Sequence, residues 1–153
     1  MTHLGKLERI TNIRTVWPDE AKNFTPWLAL PENLSALSEA IGFGPDGFEL
    51  VAVEHGVGAF SADIVCRSTA PEGGHVLIEN MFGRSDHDHL GKILTYASGI
   101  PETKTVILIA EEIRAEHRAA LDWLNSIRVR THSQNMTAAA SAQADKNRSA
   151  QRS

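Results

Sequence analysis

Phe60-Ser61-Ala62-Asp63-Ile64-Val65-Cys66 and His75-Val76-Leu77-Ile78-Glu79-Asn80-Met81 decide the architecture of this chain. In the first stretch Phe60, Ala62, Ile64 and Cys66 alternate with Ser61, Asp63, Val65 and Arg67, the two-residue period of a strand. The second is a short β-rich run. Pro71-Glu72-Gly73-Gly74 between them is a turn signal. Upstream, Phe48, Leu50 and either Ala52 or Val53 lead into Gly56-Val57-Gly58, so a hairpin comes first. Three successive strands therefore form the middle of the chain.

Each of the two quoted strands carries one acid in an apolar run, Asp63 and Glu79. A carboxylate inside a sheet is costly unless it is paired or metal-bound. Two arrangements are open. Both acids lie on the solvent face of an antiparallel hairpin, or the strands are neighbours and the acids converge on one spot. The second arrangement makes an oxygen-ligand site suited to Mg²⁺ or Mn²⁺.

Working outward, helical spacing surrounds the strands. Asp19–Leu30 carries Phe24, Trp27 and Leu28. A second helix starts at Pro31, a favoured first-turn residue, runs through Leu34, Leu37, Ala40 and Ile41, and stops at Gly42. Leu7–Val16 reads as an extended entry segment. After the strands, Ser85 is the expected N-cap of a helix with Leu90, Ile93, Leu94 and Ala97 as its apolar stripe, ending at Gly99-Ile100-Pro101. Thr105–Ala110 is a nearly continuous apolar strand, the pattern of one covered on both faces. Ile113–Leu124 is a last helix with Ile113, Ala120, Leu121 and Leu124 inward. The order is that of an α/β sandwich with a mixed sheet.

Two motifs are set aside. Gly42-Phe43-Gly44-Pro45-Asp46-Gly47 matches GxGxxG, but a dinucleotide fingerprint follows a strand and opens a helix. Here the order is reversed and a proline intervenes, so it is a turn. Asp86-His87-Asp88-His89 has metal-ligand residue types, but neighbours at a helix start point in different directions. Capping and surface histidines account for them. His89, Lys92 and Tyr96, spaced i, i+3, i+7, share one polar face opposite the stripe.

The 153 residues suit one domain. The single cysteine, Cys66, excludes an internal disulfide and a multi-cysteine zinc site. No apolar run approaches a membrane span and Met1–Asn12 lacks a signal-peptide core, so no membrane partner and a cytoplasmic location are expected. Net charge is −4, divided between −8 over residues 1–127 and +4 over 128–153. The acidic body argues against non-specific coating of nucleic acid. It does not exclude an enzyme that holds a metal with acids. From about residue 128 the composition is too polar to fold, so residues 1–127 are expected as the domain and 128–153 as a disordered basic tail.

The motifs Ser61-Ala62-Asp63-Ile64, Ile78-Glu79-Asn80, Asp86-His87-Asp88-His89-Leu90-Gly91 and Thr95-Tyr96-Ala97, in this order and spacing, resemble the PD-(D/E)XK nuclease superfamily. More narrowly, the chain is similar to the N-terminal nuclease-like domain of a bacterial family of uncharacterised proteins. The likeness covers about Leu4–Asn125, including Phe24-Thr25-Pro26-Trp27-Leu28 and Ala120-Leu121-Asp122-Trp123-Leu124-Asn125. It implies a restriction-endonuclease-like core, namely a helix, an antiparallel three-stranded meander, a helix and a strand joining in parallel. It implies that Asp63 and Glu79 hold Mg²⁺ or Mn²⁺ and that the substrate is DNA or RNA. Glu39 falls where such folds place a third acid, and Glu54, across the hairpin from Asp63, competes for that role. Tyr96 and His89 are the implied substrate contacts.

Three departures from the pattern matter. The lysine two residues after the glutamate is Met81, which can neither carry charge nor donate a hydrogen bond. The Gln-x-x-x-Tyr of RecB-like nucleases is Lys92-Ile93-Leu94-Thr95-Tyr96, so Lys92 is placed to supply the charge from the helix side. The likeness stops near Asn125, where a second domain follows in relatives. A missing C-terminal domain or partner chain, and an uncovered apolar face on Ile113–Leu124, are the corresponding expectations. The sequence thus reads first as a metal-dependent nuclease-like domain. Its alternatives are a catalytically silent nucleic-acid-binding module, favoured by Met81, and a protein-interaction domain of a defence or mobile-element system.

Overall fold

A computed structural model describes residues 10–126. The tail expected from residue 128 lies outside them. Four strands form one sheet in the order β1 (Phe48–Val57), β2 (Phe60–Ser68), β3 (His75–Arg84) and β4 (Thr103–Glu112). β1–β2 and β2–β3 pair antiparallel, and β3–β4 pair parallel. The helices are α1 (Thr25–Leu28), α2 (Pro31–Ala40), α3 (His87–Gly99) and α4 (Ala115–Ser126). A parallel pair needs a crossover, and α3 supplies it. This is the α/β order expected from the sequence, a meander followed by a helix and a parallel strand.

The hairpin turns at Gly58, whose φ of 61° is left-handed and open to glycine at little cost. β3 is central and buried over most of its length. Its even-numbered residues Val76 and Ile78 pack with Ile64, Cys66 and Ile107 against Leu28 and Leu34 of α1 and α2. Its odd-numbered residues Leu77 and Met81 pack with Val65, Val106 and Leu108 against Ile93 and Tyr96 of α3. Two-sided burial explains why 75–81 reads as a nearly unbroken apolar run. Each fully buried aliphatic here contributes roughly 1.5–3 kcal/mol. Burial also pushes the Cys66 thiol up to about 12, so it stays an inert core residue.

Three local expectations need correction. The N-cap of α3 is Asp86, whose side chain accepts from the His89 N–H at 2.7 Å; Ser85 is buried instead. Ser85 Oγ accepts from the Arg114 N–H at 2.9 Å and shares a hydrogen bond with His117 Nδ1 at 2.7 Å. His117 Nε2 in turn shares one with His87 Nδ1 at 2.7 Å, so His87 joins α3 to α4 and is not only a surface histidine. Second, the apolar face of α3 is rotated. Leu94 is exposed, while Tyr96 is buried. Third, the helix at Asp19–Leu30 begins as a π-turn over Glu20–Phe24 before α1, and Ile13–Thr15 within the entry segment is a 3₁₀ turn. On α4, Leu121 is buried but Trp123 is exposed. No helix among the described residues is long and apolar enough to cross a membrane.

The Asp86 side chain satisfies one of the open N–H groups in the first turn of α3, that of His89. Asp86→Ala is expected to cost about 1 kcal/mol, read as a lower urea midpoint with an unchanged slope.

Candidate metal and phosphodiester site

The β2–β3 ladder pairs Arg67 with His75 and continues to Ile64 with Ile78. One step further in that register stand Asp63 and Glu79. There the backbone ladder stops, and side chains take over its bonds. Asp63 Oδ2 accepts from the Asn80 N–H at 2.8 Å, and Glu79 Oε2 accepts from the Asp63 N–H at 3.4 Å. The two acids are thus cross-strand neighbours on the α3 face of the sheet. Glu79 is only 3% exposed, and Asp63 is half-buried. The solvent-face arrangement is thereby excluded.

Burial raises both carboxyls, Asp63 to about 6 and Glu79 to about 8. For Glu79 the neighbouring Asp63 charge is the next largest cause. None of the ion pairs among the described residues includes either acid. Two desolvated carboxyls side by side, with no Lys or Arg ion-paired to them, make this the candidate cation site among the described residues.

Helix α3 brings its polar row over this pair. The Lys92 charge eases the raised value of Glu79, and His89 acts in the same direction on Asp63. Lys92 Nζ rests on Asp88 Oδ2 at 3.1 Å, and His89 Nδ1 on Asp86 Oδ1 at 2.9 Å. The Asp88 carboxylate raises the lysine, which therefore stays an ammonium near neutrality. Tyr96, 2% exposed, has its hydroxyl against the Ser61 backbone; its ring is a core residue beside the site, not an open contact surface. Met81 is buried in the same cluster, so the position two residues after Glu79 presents a thioether to the core.

The fold has partial counterparts among solved structures. A repair endonuclease from Pyrococcus abyssi is 16% identical, with a TM-score of 0.45, over 60% of this chain and 42% of that one. An EndoMS–dsDNA complex is 18% identical, with a TM-score of 0.43, over 57% of this chain and 39% of that one. The chain spans less than half the length of either. No family model and no curated sequence matches it.

The acid that faces the pair from the N-terminal helical region is Glu20, which the sequence reading did not single out. Its charge raises both Asp63 and Glu79, and its Oε2 accepts from the Phe82 N–H. Glu39 is exposed on α2 and is not brought to the pair. Glu54 is exposed at the β1 end of the site, with φ of 53°, and its Oε2 accepts from Ser61 Oγ at 3.1 Å. Its charge acts on Asp63. Glu20 sits in a π-turn, where helical spacing misplaces side chains, so the only local hint was its position one residue after the capping Asp19.

The residues fit a hard divalent cation. The donors are carboxylate oxygens, and Mg²⁺ is commonly held by one or two of them with water completing the shell. Among the described residues no three His, Cys, Asp or Glu side chains group tightly enough to cage a metal, which speaks against a closed zinc-type site. Behind the pair, Asn80 Nδ2 donates to Thr25 Oγ1 at 3.1 Å and ties β3 to α1. Asn80 Oδ1 finds no partner among the described residues, a cost of about 1–3 kcal/mol carried beside the site.

Proposed function

We propose that this chain is a metal-dependent, nuclease-like domain acting on nucleic-acid phosphodiesters, with Asp63 and Glu79 as the metal ligands. The observation that carries the reading is the pair itself: two cross-strand carboxyls, Glu79 buried and Asp63 half-buried, reciprocally bonded to each other's strand and outside every ion pair among the described residues. A divalent ion held there supplies Lewis acidity toward the phosphate. The chain's own residues do the rest. Lys92, an ammonium on the α3 side, orients the attacking water or contacts a phosphate oxygen, replacing the lysine absent at Met81. Because it stays protonated, it acts as a donor and not as a base. Glu20 adds negative charge to the pocket and holds the β3 backbone at Phe82. His89, paired with Asp86, lines the approach.

Met81 favours a second reading, a binding module without turnover, since a buried thioether cannot assist a water. One experiment separates them. The purified chain is incubated with Mn²⁺ and labelled oligonucleotides, alongside Lys92→Ala. Cleavage by the wild type, with loss of roughly 100-fold or more in Lys92→Ala and an unchanged Mn²⁺-induced shift in unfolding temperature, supports hydrolysis with Lys92 in it. Binding without cleavage by the wild type supports the silent module.

A further inference from the structure

Trp17, Phe24, Trp27 and Phe82 touch in series beside Glu20. Ring centroids are 4.6 Å apart for Trp17–Trp27, 5.1 Å for Trp17–Phe24 and 5.7 Å for Phe24–Phe82. The Arg14 guanidinium lies over the Phe82 ring at 5.0 Å. Phe24 leans on the core, which anchors the group. Trp27 is exposed, at 38%, and Trp17 is half-buried. The cluster starts where the acidic site ends, because Glu20 holds the Phe82 backbone and its charge reaches Asp63 and Glu79.

We propose that this cluster is a stacking platform for an unpaired nucleobase next to the phosphodiester at the Asp63–Glu79 site. The inference rests on the phosphodiester reading and names its substrate class: a single strand, or a base turned out of a duplex. Charge argues for it. A body carrying −8 over residues 1–127 disfavours a phosphate backbone, so net charge there is a poor source of affinity. Stacking supplies affinity through the base and tolerates any sequence, because every base has a π-face. Arg14 supplies a cation against the Phe82 ring, placed either to stack with the base or to meet its phosphate. A duplex hides its bases and gains nothing from the rings.

The test uses the full chain with Ca²⁺ in place of Mn²⁺ and measures anisotropy of labelled 12-mers. The probes are single-stranded DNA, single-stranded RNA, an abasic strand with the same phosphates, and a blunt duplex. The base-bearing single strands are expected to bind at least about tenfold tighter than the abasic strand and the duplex. The DNA and RNA arms identify the preferred sugar. Trp27→Ala is expected to remove that margin, and Trp27→Phe to restore most of it. Arg14→Ala, on an exposed side chain, weakens single-strand binding without risk to the fold. Equal binding of abasic and base-bearing strands, single-strand binding by Trp27→Ala equal to wild type, or no binding to any probe overturns the platform. Retained Mn²⁺-dependent cleavage in that case leaves the phosphodiester reading standing. Loss of the Mn²⁺ response in the wild type is the failure of that reading and not of the platform.

Discussion

Mn²⁺ is expected to raise the unfolding temperature of the wild-type chain, and Glu79→Gln and Asp63→Asn are expected to remove both that rise and any Mn²⁺-dependent cleavage. A ligand that binds only the folded state at 100 times its dissociation constant stabilises by about 2.7 kcal/mol. That is a shift of several degrees for a chain of this size. The amide variants are chosen for a structural reason. Asp63 Oδ2 accepts the Asn80 N–H, and an alanine would leave that donor buried and unpaired. Asparagine and glutamine keep an acceptor while removing the charge the cation needs. Losing one of two ligands is expected to cost roughly 1,000-fold or more in rate, since about 4 kcal/mol of lost transition-state stabilisation has that effect. Scanning calorimetry with and without EDTA, beside a cleavage time course, checks both parts. A Mn²⁺ shift that survives in both variants would remove these residues from the site.

In EDTA, the wild-type chain is expected to lose stability as pH rises from 5 to 8.5. The sign follows from the two raised carboxyls, Asp63 at about 6 and Glu79 at about 8. Each holds its proton longer in the folded state than in the unfolded chain. Their contribution is complete below the ordinary carboxyl range and is lost as pH passes through 6 and then 8. Each pH unit over which one extra proton is held is worth about 1.4 kcal/mol, so Glu79 accounts for on the order of 3 kcal/mol across this range. That corresponds to roughly 10 °C. Glu79→Gln flattens the upper part of the profile, and Asp63→Asn the lower part. The proton and the cation compete for the same oxygens, so metal affinity rises over the same interval. A wild-type profile superimposable on that of Glu79→Gln in EDTA would contradict the raised value of Glu79.

What the sequence disclosed, and what it hid, follow from the range of the forces involved. Strand alternation at 60–66 and the apolar run at 75–81 are local signals; they put Asp63 and Glu79 on successive strands and left open whether the two acids converge, which the β2–β3 register decides. The next helix and the fourth strand followed from spacing, while the parallel pairing of that strand was implied by the family resemblance. The third nearby acid did not. Glu20 reaches the site only because the chain opens that helix with a π-turn, which no simple period encodes. Likewise the cap of α3 moved from Ser85 to Asp86 because Ser85 is recruited by His117 from α4, 32 residues away. The rotation of α3 that buries Tyr96 and exposes Leu94 is a tertiary choice too. It brings the His89–Lys92–Tyr96 row to the sheet instead of to solvent.

The place where β2 and β3 part has a dynamic consequence. The amides of Asp63 and Asn80 are guarded by carboxylates, not by carbonyl groups of the neighbouring strand. Should a cation draw those oxygens away, both protons would become easier for solvent deuterium to replace, while the Ile64 and Ile78 amides within the intact ladder would stay protected. Two neighbouring backbone positions would then report occupancy by exchange, independently of any cleavage.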